Sequence, residues 1–464
     1  MLFSSIPFLY YFLPAVITLY FLSPKQLKNT VLLISSLVFY GWGEPKYVFL
    51  MLGTIVLGYV FGLLIDKFRN SPWSKIFLTI SVLCSVAGLL YFKYADFFIS
   101  NFNAAFGISL PFLRLALPIG ISFYTFQILS YSIDVYRGEV GVQKNPLNLA
   151  TYVTLFPQLI AGPIVRYQDI ENQLTERTHS FEKTYEGIRR FVIGLSKKIL
   201  IANTLGQLCE SFLNSSDLSV VFYWLYVISY MLQIYFDFSG YSDMAIGLGK
   251  FFGFDFLENF NYPFISSSIT EFWRRWHMSL GTWFRDYVYI PLGGSRVKKP
   301  KMFFNIFVVW FLTGFWHGAE WNFIIWGLYF GLLLVIEKLF LSGFLKRHKA
   351  VGHVYVLFFV AISFMIFGAT NLEHAVTLVS GLFGGGKIPL ISQDALYNLR
   401  NFDFVILIAI IGSTPFLKKI REHLISKNFK YIEVIDVIIV ISLLLICTAY
   451  LADGSFNPFL YFRF

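Results

Sequence analysis

The sequence has 464 residues, 56% of them hydrophobic and 14% charged, with a net charge of +10 and a mean hydropathy of +0.64. Soluble domains carry roughly a quarter charged residues, so a soluble core cannot absorb this apolar surface and the bilayer must solvate most of it. Lipid leaves only helices or closed barrels as spanning structures, and the long apolar runs lack the alternation of barrel strands. The fold class expected is therefore all-α and polytopic. The basic excess lies between apolar runs, which reads as the positive-inside bias and not as a nucleic-acid surface. Cys84, Cys209 and Cys447 are isolated in apolar sequence and suggest neither a disulfide framework nor a metal site.

A span needs about 20 mainly apolar residues. In chain order, residues 7–22 form a short first span, retained because no cleavage signal accompanies it. Residues 30–40 are shorter, 47–65 and 76–92 are clear spans, and 94–106 suit the interface. Residues 115–135 are apolar with Asp134 near the end, and 149–163 read as a broken or re-entrant element around Pro157 and Gly162-Pro163. Residues 185–203 mix apolar residues with Arg189, Arg190, Lys197 and Lys198, the pattern of a helix lying on the cytoplasmic surface. Residues 220–236, 241–252, 303–315, 323–340, 355–369, 404–415 and 435–451 follow, giving roughly eleven spans in all. Placing the basic clusters at Lys25/Lys28, Lys67/Arg69, Lys346–Lys349 and Lys418–Arg421 in the cytoplasm puts the N-terminus outside. No internal repeat or separate soluble domain is visible, so residues 1–464 are expected to form one membrane-embedded domain.

Residues 272–287, read as a helix, place Trp273, Trp276, His277, Leu280, Phe284 and Tyr287 on one face, with Arg274 and Arg285 on one flank. Such a helix can simply anchor at headgroups; His277 stands apart because it points with the apolar face. His317 is the sharper signal. An ionisable side chain inside a span is costly and marks a functional site by default. Gly314 and Gly318 flank it at the spacing that lets another helix approach. Phe315, Trp316 and Trp321 would keep the imidazole dry and neutral, as a general base requires. Asp237, Ser239, Tyr241 and Asp243 form a polar knot that could orient a histidine, bind an arginine or serve as structural glue, the last slightly favoured. Glu320, three residues after His317, could contact it on a continuing helix. No nucleotide loop, zinc spacing or nucleophile elbow occurs. A hydroxyl acceptor activated by His317 beside an acyl donor fits these residues; so does a proton-coupled transporter of polysaccharide or lipid, though that class often shows an internal repeat.

Five motifs occur in order: Phe156-Pro-Gln-Leu-Ile-Ala-Gly-Pro-Ile, Tyr235-Phe-Asp-Phe-Ser-Gly-Tyr-Ser-Asp-Met-Ala, Phe272-Trp-Arg-Arg-Trp-His-Met-Ser-Leu, Tyr289-Ile-Pro-Leu-Gly-Gly and Gly314-Phe-Trp-His-Gly. The chain closes on Asn457-Pro-Phe-Leu-Tyr-Phe-Arg-Phe. Over essentially its whole length the sequence resembles the membrane-bound O-acyltransferase family, in its bacterial alginate O-acetyltransferase-like branch. The resemblance implies helices around a central funnel or tunnel, with His317 at the catalytic histidine's position and His277 at a second functional polar position. It implies acyl transfer across a bacterial cytoplasmic membrane, from a cytoplasmic thioester such as acetyl-CoA, with no permanently bound cofactor. An extracytoplasmic, SGNH-hydrolase-like acetyltransferase partner would pass the group to an exported polysaccharide. His277, Asn322 or a backbone amide would steady the oxyanion or position the donor. Trp273, Arg274, Trp276, Arg285, Trp316, Asp237, Tyr241 and Asp243 are further candidates for the donor site or tunnel. D-alanyl transfer to teichoic acid from a cytoplasmic carrier-protein thioester is the alternative within the family. The two histidines are expected on opposite sides of one narrow passage.

Overall fold

The computed structural model describes residues 1–160, 162–427 and 429–454. Among them every regular element is a helix. The chain divides into two compact units, one comprising Met1–Phe191 with Met244–Leu257 and the other Val192–Asp243 with the chain from Glu258 onward. Among the described residues, seven helices are long and apolar enough to cross a membrane.

The first unit starts with the short apolar helix Phe8–Leu22 (α1) and Lys28–Gly41 (α2). Phe3, Phe8, Phe12, Phe39 and Phe156 form a ring cluster between them, with Phe3–Phe8 centroids 4.9 Å and Phe12–Phe156 centroids 5.5 Å apart. Val48–Lys67 (α3) and Pro72–Phe106 (α4) are spans. The second runs unbroken for 35 residues, joining the two segments expected at 76–92 and 94–106. Ile121–Arg137 (α5) starts six residues later than the apolar run at 115 suggests. Its residues 121–132 are all buried, so apolar sequence here marks protein interior and not a lipid face. The approach is close because a Cβ on Gly58 would lie 2.7 Å from Ile128 Cδ1 and one on Gly62 would lie 2.9 Å from the Tyr131 ring. Pro146–Thr154 (α6) and Phe156–Leu159 (α7) are the broken element read from the prolines.

Phe181–Ser196 (α8) and Val220–Phe251 (α9) each begin in one unit and end in the other. The second is one helix of 32 residues where the sequence suggested two segments. Within the first unit, Glu186 pairs with Lys250 and Lys183 with Asp255, and Gly187 meets the Gly247 carbonyl. Within the second unit, Gly240 meets the Gly194 carbonyl, Lys197 Nζ reaches Asp243 Oδ2 at 2.6 Å and Lys198 Nζ reaches Asp237 Oδ1 at 2.5 Å. Lys198 is only 2% exposed. The basic segment after α8 therefore does not lie wholly on a surface; its second lysine turns inward because a carboxylate waits there.

The second unit also contains two short helices, Ile269–Trp273 (α10) and Met278–Phe284 (α11), and Lys299–His317 (α12) packed against Trp321–Ile336 (α13), which continues to Arg347. Lys349–Gly368 (α14), Leu372–Gly381 (α15), Gln393–Gly412 (α16), Phe416–Ser426 (α17) and Ile432–Ala452 (α18) follow. The motif at 457–464 lies outside the described residues.

Candidate functional site

His317 is the last residue of α12 and is half-buried. It therefore ends a helix, and is not in the interior of a span as the sequence suggested. Gly318 leaves the helix in extended backbone (φ −164°, ψ 159°) and Glu320 is extended as well. Glu320 consequently shares no helix with His317 and is exposed. Three rings stand edge-on around the imidazole: Trp316 at 5.0 Å, Trp326 at 5.0 Å and Phe367 at 5.3 Å between centroids. The close approach of α12 and α13 makes this box. It rests on Gly314 facing Gly327: a Cβ on either would collide with the other helix's backbone, at the Phe323 or Trp310 carbonyl oxygen. Gly318 instead makes room for the Phe323 ring. The small-residue contact thus pairs Gly314 with a glycine on the next helix.

His277 lies deeper, at 2% exposure. The single helix expected over 272–287 is broken here into α10 and α11, and His277 adopts left-handed backbone (φ 45°, ψ 53°) at the break. Such a conformation costs a non-glycine residue about 1–2 kcal/mol, so the surroundings must enforce it. Residues 259–261 do so. Asn261 N–H donates to Arg275 O at 2.9 Å and Met278 N–H to Asn259 O at 2.9 Å. The Asn259 side-chain oxygen accepts from Ser279 N–H at 3.2 Å and from Ser279 Oγ at 2.9 Å, and lies 3.2 Å from His277 Nδ1. Phe238 (4.7 Å), Trp316 (6.1 Å) and Phe260 (6.5 Å) also pack on the ring. Burial pushes this imidazole down to about 3. At the other end of the segment, Glu337 caps α10 by accepting from Ile269 N–H, Thr270 N–H and the Thr270 hydroxyl.

Trp316 therefore touches both histidine rings. Trp273 is packed edge-on against Trp310, Trp326 and Phe330, with Trp326 shared with His317. Trp276 packs against Phe260, Phe272 and Phe364 in the same core. Arg274 is exposed at the helix break, and Arg285 is exposed and paired with Asp286 at 2.7 Å. Asn322 is fully buried, but its amide donates to Ile366 O (3.3 Å) and Ala369 O (2.9 Å), tying α13 to the end of α14. Both amide hydrogens are thus engaged, leaving none for an oxyanion. Asp237 and Asp243 face Lys198 and Lys197, and Tyr241 is buried on the same helix. These carboxylates are taken up by ion pairs with the two lysines. Sequence reasoning missed Asn259. Its only signal was an asparagine standing among aromatic residues (Glu258-Asn-Phe-Asn-Tyr) just before the Trp-rich motif.

No group of three or more histidine, cysteine or acidic side chains able to hold a metal occurs among the described residues. The arrangement offers two imidazoles, one half-exposed and one desolvated, joined through one indole.

Residues 137–376 match the MBOAT, membrane-bound O-acyltransferase family. The chain is 39% identical, over the full length of both chains, to a protein of Azotobacter vinelandii named probable alginate O-acetylase AlgI. It is 32% identical over 100% of its own length and 98% of the other's to the peptidoglycan O-acetyltransferase of Helicobacter pylori. Over 55% of its length, and 70% of the other's, it is 31% identical to the teichoic acid D-alanyltransferase of Bacillus subtilis. The reading as a transporter gives way to an enzyme. The chain belongs to the membrane-bound O-acyltransferase family and is a multi-pass membrane O-acyltransferase.

Proposed function

We propose that this enzyme moves an acetyl group from a cytoplasmic thioester, acetyl-CoA, across the bacterial cytoplasmic membrane for O-acetylation of an exported polysaccharide, with His317 as the general base. The observation that carries the reading is the His317 imidazole at the end of α12, partly accessible and walled by Trp316, Trp326 and Phe367. Aromatic walls exclude water without supplying a competing acid, which suits a base that must accept a proton and return it. His317 takes the proton of the incoming hydroxyl as that oxygen attacks the thioester carbonyl. The tetrahedral intermediate collapses, the thiolate leaves, and the imidazolium returns the proton to the sulfur.

Similarity along the whole chain to proteins named as a probable O-acetylase and an O-acetyltransferase favours acetyl over D-alanyl transfer, for which the similarity covers about half the chain. In this reading about eleven membrane passes, some short or re-entrant, surround a central tunnel, and the chain works as one domain with its N-terminus outside. An extracytoplasmic acetyltransferase receives the acetyl group, and the polysaccharide is the final acceptor. A carrier protein would supply the thioester only in the D-alanyl case.

His317→Ala should lower acetylation of the exported polymer by about 100-fold or more, the usual worth of a general base, with insertion and thermal stability retained. Loss of acetyl from labelled acetyl-CoA on purified protein reads the same step. Wild-type acetylation by a correctly inserted variant would sink the assignment, and D-alanine on the polymer would replace the donor.

A further inference from the structure

Asn259 holds an asymmetric position beside His277. Its Oδ1 receives a backbone donor, Ser279 N–H at 3.2 Å, and the Ser279 hydroxyl at 2.9 Å. A backbone N–H can only donate, so the Asn259 atom at this position is the carbonyl oxygen and not the amide nitrogen. The same oxygen lies 3.2 Å from His277 Nδ1. An oxygen that accepts there obliges Nδ1 to carry the hydrogen. A neutral imidazole has one N–H, which leaves Nε2 as a bare lone pair. The ring's surroundings keep it neutral: Phe238, Asn259, Phe260, Ser279 and Trp316 face it and none titrates, while Asp237, beside Phe238, is held by Lys198. Among the described residues the buried Nε2 has no hydrogen-bond partner, and neither has the buried Asn259 side-chain amide nitrogen. A buried polar atom left unmet is costly, and two such atoms meet on one pair of contacting side chains.

We propose that Asn259 is a positioning residue that locks His277 in the Nδ1–H tautomer, so that Nε2 accepts a hydrogen bond from a neutral hydroxyl or amide N–H of the bound substrate. The proposal rests on the acyltransferase reading for the identity of that substrate, but the tautomer does not. His277 then complements His317: one imidazole holds a donor group of the substrate in place, the other moves a proton. The left-handed backbone at residue 277 follows as well, because the clasp by residues 259–261 sets the ring's direction.

The test uses full-length protein in detergent with ¹⁵N-labelled histidine, the His277 signals being assigned by difference from His277→Gln. Wild type should show a protonated Nδ1 and an unprotonated Nε2 at neutral pH, and Asn259→Leu should lose that bias and lower polymer acetylation at least tenfold. Asn259→Asp keeps the acceptor but adds a negative charge, which raises the imidazole pKa. Its acetylation should recover toward wild type at high pH and fall as the pH drops through the raised pKa, adding an acid limb above the one that protonation of His317 sets in wild type. A purely structural asparagine would not create that limb. A wild-type ring protonated at Nε2, an unchanged tautomer in Asn259→Leu, or an Asn259→Asp profile parallel to wild type would overturn the proposal. The expected tautomer together with His317-independent acetylation would refute the general-base role of His317 alone.

Discussion

Lys198 and Asp237 show how single residues in this protein are decided by their surroundings. Their side chains are 3% and 6% exposed and meet at 2.5 Å. Desolvating two charges offsets most of their attraction, so such a pair adds little net stability, yet removing one partner leaves an uncompensated buried charge at a cost of about 3–5 kcal/mol. Lys198→Met should therefore lower the thermal midpoint in detergent sharply, whereas Lys198→Met combined with Asp237→Leu should recover most of it. A double variant as unstable as the single one would show that the pair does more than neutralise itself. The polar knot was visible in the sequence because charges in apolar runs stand out. Its partner was not, because Lys198 also fits the polar face of an interfacial helix, and helical period alone cannot tell a solvated lysine from one that meets a carboxylate 39 residues on. His317 was legible from its cost in an apolar segment. Asn259 was not, since its value comes from one oxygen placed beside Nδ1 of a residue on another segment.

At the scale of elements, the contrast lies between α12–α13 and the segment containing His277. Gly314 was legible as a packing glycine, and it does pack, but against Gly327 and not in register with Gly318. The sequence shows that a helix can be approached; it does not show which turn of which neighbour arrives. A methyl group at residue 327 would collide with the Trp310 carbonyl oxygen, a backbone atom that cannot swing aside. Overpacking of this kind costs about 1–3 kcal/mol or more, and here it also opens the box around His317. Gly327→Ala should thus lower both the melting temperature and acetyl transfer, while Gly343→Ala, where nothing lies within 4 Å of the added atom, serves as the control and should change neither. Equal effects from the two substitutions would remove the crossing as the cause. The break at His277 was illegible for a related reason. Apolar period predicted one amphipathic helix over 272–287, but hydrogen bonds from 259–261 outcompete the helical ladder between Arg274 and His277.

For the whole molecule, membrane character was legible from composition, whereas the number of passes was not. Apolar runs at 115–135 and 220–252 look alike in sequence; one becomes the buried α5 and the other a single helix of 32 residues. α4 offers the clearest test of topology. It runs 35 residues without a break, about 52 Å at 1.5 Å per residue, against a hydrocarbon core of about 30 Å. It must therefore tilt or project beyond the bilayer. Lys67, Arg69 and Lys75 crowd its N-terminal side, whereas the loop after its other end carries Arg114 alone. The positive-inside bias then places Asn70 in the cytoplasm and Ser109 outside, both at exposed positions. In a variant whose three native cysteines are replaced, Ser109→Cys should react with a membrane-impermeant thiol reagent in intact spheroplasts, and Asn70→Cys only after permeabilisation. The reverse pattern would invert the molecule and place the N-terminus in the cytoplasm. Labelling of both positions from outside would mean that α4, despite its length, lies along the membrane surface and does not cross it.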